Sequence, residues 1–161
     1  MKTKKLMMMT LAALAFAFGV CSCGSDDDEP DVAVAAQVAG SYTGEGIMTV
    51  MGEVFNSTPT YVFEKATDVS LNMTIPATSG GSMNIPALLV KNITLNNSND
   101  IITGRLDSYT GTVNDGNGAS KSYTVTDLTA IFKDKAVVVS YTLKYGNMPF
   151  TLSGQFTGTK K

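Results

Sequence analysis

The chain has 161 residues, two cysteines, no histidine and no tryptophan, with 12 basic side chains against 14 acidic ones. The lack of histidine removes the usual general base and the commonest metal ligand, which excludes Ser-His-Asp and Cys-His catalysis and histidine-type zinc sites. No basic stripe and no aromatic residues interleaved with lysine or arginine are present, so nucleic-acid binding is not expected.

The first residues read as an export signal. Lys2, Lys4 and Lys5 form a positive start, and Leu6 to Val20 is an apolar run. It is shorter than the ~20 residues that a comfortable membrane span needs, and polar residues follow it at once. Val20-Cys21-Ser22-Cys23 resembles the bacterial lipobox: an aliphatic residue, a short one, a small one, then cysteine. The resemblance implies cleavage before Cys23, a thioether-linked diacylglycerol on its sulfur and an acyl chain on its freed amine. Two or more chains anchor stably, at ~0.8 kcal/mol per buried CH₂. Cys21 fits the pattern less well, because Val20 precedes it. The plainer reading makes the two cysteines the end of an apolar run or a thiol pair, but one intervening residue suits an unstrained disulfide poorly. If Cys23 is acylated, the mature chain has no disulfide framework.

Ser25-Asp26-Asp27-Asp28-Glu29 follows. It is similar to the export signal that sends lipoproteins of Bacteroidota to the outer face of the outer membrane. It also reads as a solvated, self-repelling spacer. The expected organisation is a lipoprotein signal peptide at 1–22, an acylated cysteine and acidic tether at 23–31, and one β domain at 32–161. The expected location is the outer membrane, lipid-anchored, at the cell surface. Three basic residues precede Cys23 and five acidic ones lie in the tether, which leaves the domain balanced at nine against nine.

Val32 to Val38 is Ala-rich and predicts one or two helical turns. From Tyr42, the residues Tyr42, Met48 and Val50 share a parity with Gly44 and Gly46, and Met51-Gly52-Glu53 predicts a turn. Asn56-Ser57-Thr58-Pro59 interrupts the next segment before Tyr61 and Phe63. Val69, Leu71, Met73 and Ile75 alternate with polar residues as a half-buried strand does. Pro76 ends it, and Thr78–Ser82 reads as a flexible connection. Ile85 to Leu95 reads as one strand with Ile85, Leu89, Ile93 and Leu95 on one face, broken by Lys91. Ile101–Leu106 and Tyr109–Val113 are one strand or two.

Asn114-Asp115-Gly116-Asn117-Gly118 is a loop signal. In Lys121–Phe132 the apolar parity changes, and a bulge near Asp127 accounts for it. Lys133-Asp134-Lys135 is a turn. Val137, Val139, Tyr141, Leu143 and Tyr145 then alternate, and after Gly146-Asn147 so do Phe150, Leu152 and Phe156. The expected fold is all-β: an antiparallel up-and-down meander of about eight strands closed into a barrel, because consecutive hairpins favour closure over a sandwich.

Gly40-Ser41-Tyr42 at the first strand, the meander and the Gly-rich last strand Phe150–Thr159 resemble the calycin-like (lipocalin-like) β-barrel domains of Bacteroidota lipoproteins. The likeness covers most of residues 33–161. Lipocalins carry Gly-x-Trp at the first strand; here Tyr42 stands in the Trp place, and Arg105 is the only arginine. The family fold implies a barrel that can hold a small hydrophobic ligand.

The nine carboxylates of the domain are scattered, mostly at turns, and no pair is marked for hydrolysis. Residues 114–118 lack the bidentate Glu of a calcium loop. No enzyme activity, metal or cofactor is expected. Tyr42, Tyr123, Tyr141, Tyr145, Phe150 and Phe156, with Phe132, fall at inward parity. They either line a cavity for a small apolar ligand or fill the core. Two functions follow: a non-enzymatic carrier of a small hydrophobic ligand, or an interaction lipoprotein whose loops or outer face contact a protein or glycan. The membrane lipid joined to Cys23 is the remaining expected partner.

Overall fold

Eleven strands and one short helix fill the described part of the chain, residues 32–80 and 83–161 of a computed structural model. The expected signal peptide, Cys23 and the expected acidic tether through Asp31 lie outside the described residues. The segment from Ala33 onward forms one unit. Helix α1 (Val34–Val38) is the predicted Ala-rich turn, and Ala35 and Val38 are buried.

The strands are β1 (Gly40–Val50), β2 (Glu53–Ser57), β3 (Thr60–Thr67), β4 (Ser70–Ile75), β5 (Thr78–Gly80), β6 (Met83–Ile85), β7 (Leu88–Ser98), β8 (Ile101–Asn114), β9 (Ser120–Lys133), β10 (Ala136–Tyr145) and β11 (Leu152–Lys160). The main sheet runs β11-β10-β9-β8-β7-β4-β3-β1, and β11 pairs back onto β1. Eight strands therefore close an antiparallel up-and-down barrel, as the alternating hairpin pattern predicts.

The period of two sets the inside. Tyr42, Leu71, Met73, Val125, Val139 and Leu152 are among the fully buried side chains, each worth ~1.5–3 kcal/mol by burial. Intervening positions such as Thr151, Ser153, Gln155 and Thr157 are exposed. Where the parity changes, a residue at positive φ marks the spot. Asp127 (φ 54) lies at the predicted bulge between Val125 and Leu128, opposite a register shift in β10.

A second bulge corrects the reading of residues 85–95. Asn92 (φ 61) shifts the β4–β7 register, so Leu88 and Val90 face in before it and Ile93 and Leu95 after it. Leu89 therefore points away from the core, and Lys91 breaks no apolar face. Val69 is also not a core residue: it lies in the turn before β4 and is 57% exposed. Phe150 precedes β11 and is half-buried rather than inward on a strand. Residues 101–114 are one continuous strand.

The largest departure lies around Thr78–Ser82. Instead of a flexible connection, β5 and β6 pair as a hairpin. The pairs Ile75–Leu88 and Thr78–Ile85 keep one register, so β4–β5 and β6–β7 form one long hairpin interrupted at Pro76 and Pro86. The same holds on β1, where the pairs Thr43–Thr60 and Gly46–Ser57 make β2 and β3 one rail interrupted at Pro59. Proline cannot donate to a ladder, and its ring restricts the preceding residue.

Candidate functional site

Aromatic rings fill the barrel in layers. Beside α1, Tyr42 meets Phe63 and Phe132 edge-on at centroid distances of 5.5 and 5.8 Å. Its hydroxyl donates to the Val38 carbonyl at 3.0 Å, tying β1 to the helix. Farther along, Tyr61 stacks on Phe156 at 4.2 Å, and its hydroxyl meets that of Tyr141 at 2.9 Å. Gly154 and Gly158 leave room for this layer, because a Cβ there would collide with the rings of Tyr141 and Phe156 respectively. Next, Tyr123 donates to the Leu89 carbonyl at 2.6 Å and lies against Tyr109. Tyr145 is 2% exposed, and its hydroxyl has no partner among the described residues.

Burial pushes the Tyr61 phenol up to about 12, against the lowering effect of its bond to Tyr141. Burial, then the charge and hydrogen bond of Tyr61, push Tyr141 well above the ordinary value. Burial also raises Tyr42 and Tyr123. At neutral pH these groups are uncharged packing and hydrogen-bonding elements.

The Asn114–Gly118 signal forms a local loop. The Asp115 carboxylate accepts from the Asn117 amide at 2.9 Å and the Ala119 amide at 3.2 Å, and lies 3.4 Å from the Lys121 ammonium. The Asn117 bond is the main reason its carboxyl lies below the usual range. Among the described residues, no three acidic or cysteine side chains gather as a metal set.

The feature missed from the sequence lies where the wall splits. β3 and β4 pair from Val62–Thr74 to Thr67–Ser70. Toward the other end, past Pro59 and Pro76, the two rails part: β2 stays on β1, and β5 turns onto β6. A cleft of about 670 Å³ occupies the fork, lined on one side by Val54, Phe55, Asn56 and Ser57 and on the other by Ala77, Thr78 and Ser79, with Tyr61 among its walls. Phe55 also borders a second cleft of about 400 Å³, shared with Val50, Met51, Met83 and Phe150.

Of the six ring positions expected to hold a ligand, Tyr42, Tyr123, Tyr141 and Phe156 pack in the core and line none of the clefts described here. Phe150 borders the second cleft. Tyr145 borders a separate surface cleft with Lys121 and Met148. Cys23 lies outside the described residues.

No protein-family model matches the chain, and no curated protein matches it. Among solved structures, it is similar to a candidate outer membrane protein of Bacteroides fragilis, with a TM-score of 0.64 and 17% identity. The match covers 80% of this chain and 53% of the other, so this chain spans about half the length of that relative. The likeness is one of fold.

Proposed function

We propose that the protein is a lipid-anchored outer-membrane module, displayed at the cell surface, that binds a partner at the split end of its barrel and carries out no catalysis. The carrying observation is the position of the 670 Å³ cleft, which opens in the wall between β2 and β5 while the candidate rings inside pack on one another. The lipobox, with Cys23 as the acylated residue, and the acidic run after it support the anchor and the surface location. The polarity of the barrel agrees with an anchor. A membrane-spanning barrel turns an apolar band outward and polar groups inward; here the inward face is apolar and the outward face is rich in Thr, Ser and Lys. The calycin-like assignment rests on Tyr42 at the lipocalin tryptophan position and on the meander, and the Bacteroides fold neighbour is consistent with it.

The test places a photo-crosslinking residue at Val54, beside the cleft, or at Val138, on the outer face of β10, in cells displaying the full protein. Adducts at Val54 and none at Val138 support the reading. Equal adducts, or none at Val54, remove it. Separately, Cys23→Ala is expected to release the protein from the membrane fraction; continued membrane retention removes the anchor.

The smaller cleft favours a second reading. Val50, Phe55, Met83 and Phe150 give it apolar walls suited to a small hydrophobic ligand. Solvent extraction of protein purified from its native envelope, followed by mass spectrometry, is expected to recover such a ligand if this cleft is the working site. An empty extract removes this second reading.

A further inference from the structure

We infer that the fork between β2 and β5 accepts an extended peptide segment of a partner protein as an added β-strand, with basic residues flanking the inserted stretch. The inference rests on the split end being the binding site and names the chemistry of what enters it.

β2 ends the main sheet, so its far edge pairs with no strand among the described residues. The direction of its backbone groups follows from the turn. Met51 and Gly52, both at positive φ, join Val50 to Glu53 in a two-residue hairpin. Residues flanking such a turn bond to each other, so Glu53, Phe55 and Ser57 direct their amides and carbonyls at β1. The Gly44 amide donates to the Pro59 carbonyl at 3.3 Å, which continues the same odd-numbered rail. Val54 and Asn56 therefore direct theirs into the fork. Across it, β5 pairs with β6 and not with β2.

The five-residue length of β2 and the charge of Glu53 limit this edge, but the stronger guards are missing from it. Natural edges are protected by lysine, by proline or by a bulge, and β2 carries none of these between Glu53 and Ser57. Its outer face instead offers apolar contact: Val54 is 57% exposed, and Met51 at the tip is 78% exposed. Pro76 lies at the parity of Asn72 and Thr74, which face β3, so it lacks the amide that would carry the β3–β4 pairing into the fork.

Charge narrows the occupant. The clefts along β2 are bordered by Glu45 and Glu53, both exposed, and by no lysine or arginine. A strand carrying Lys or Arg near its ends complements them. Added strands draw affinity from main-chain hydrogen bonds and specificity from alternate side chains. A simple alternating peptide is therefore an adequate probe.

The probe is Lys-Thr-Val-Thr-Val-Thr-Val-Thr-Lys, titrated into the full barrel domain with its tether while the backbone amide signals are followed by NMR. Saturable shifts and slowed hydrogen exchange at Val54 and Asn56 are expected. The same peptide N-methylated at alternate residues loses two or more bonds and is expected to bind at least about tenfold more weakly.

Val54→Pro removes an amide that faces the fork and not β1. It is expected to leave the melting temperature nearly unchanged while weakening the peptide by a similar factor. Asn56→Pro is the second variant, should the first fail to fold. Glu45→Lys with Glu53→Lys is expected to weaken the lysine-ended peptide. Absence of saturable shifts overturns the inference. So does equal binding of the N-methylated peptide, or self-association of the protein through β2 that Val54→Pro abolishes. Crosslinks at Val54 in cells alongside a silent peptide titration would leave the split end as the binding site and remove strand addition alone.

Discussion

The hydroxyls of Tyr61 and Tyr141 meet at 2.9 Å inside the barrel, between side chains 80 residues apart in the chain. Each is the other's buried partner. Tyr61→Phe leaves the Tyr141 hydroxyl without that bond and is expected to cost ~1–3 kcal/mol, as is Tyr141→Phe. The double substitution removes both polar groups and is expected to cost clearly less than the two singles added. Urea denaturation of the four proteins closes this cycle; strict additivity would show that the pair is not coupled.

The same pair makes stability fall in alkali. The free phenol titrates near 10.0, whereas Tyr61 is held up at about 12 and Tyr141 well above its ordinary value, both mainly by burial. Above pH 10 the unfolded chain therefore releases protons that the folded chain keeps. The contribution of these two groups is full below pH 10 and is lost as pH rises toward 12 and beyond. Denaturation midpoints measured on both sides of pH 10 should fall more steeply for the natural protein than for the double Phe variant.

Gly154 and Gly158 face rings rather than empty space. Gly154→Ala drives a methyl group into Tyr141 and is expected to destabilise by ~1–3 kcal/mol. Thr157→Ala, on the exposed side of the same strand, is expected to stay within about 0.5 kcal/mol. Thermal melts compare the two directly.

In the 115–119 loop, Asp115→Ala removes the acceptor for the Asn117 and Ala119 amides. Hydrogen exchange at these two amides is expected to quicken, with the barrel strands unaffected. In the natural protein the same loosening is expected as pH falls through the lowered carboxyl pKa of Asp115, because protonation weakens the acceptor.

The barrel and the bulge at Asp127 were legible because a period of two, once fixed by a buried face, tolerates no silent slip. Tyr123 and Val125 on one parity and Leu128 on the other required an extra residue between them. Residues 85–95 misled for the same reason: Ile85, Leu89 and Ile93 keep one parity only if the strand is unbroken. Pro86 and the left-handed Asn92 reset it twice. The split wall was not legible. Pro59, Pro76 and Pro86 are visible in the sequence, but their meaning depends on pairing. Pro76 and Pro86 interrupt opposite rails of one hairpin, and Pro59 starts the neighbouring gap. Tyr42 and Phe156 were correctly turned inward, yet alternation fixes only a direction. Whether a ring lines space or fills it depends on the partners it meets, here Phe63, Phe132 and Tyr61.

The seam joining β1 to β11 pairs Tyr42–Val50 with Leu152–Lys160, the first barrel strand with the last. Closing it brings together segments separated by most of the domain, which makes it a slow, non-local step in folding. Until that moment the sheet is open, and β1 and β11 are bare edges able to pair with other chains. A newly made copy thus races its own last strand against its neighbours, and a high local concentration of unfinished chains works against it.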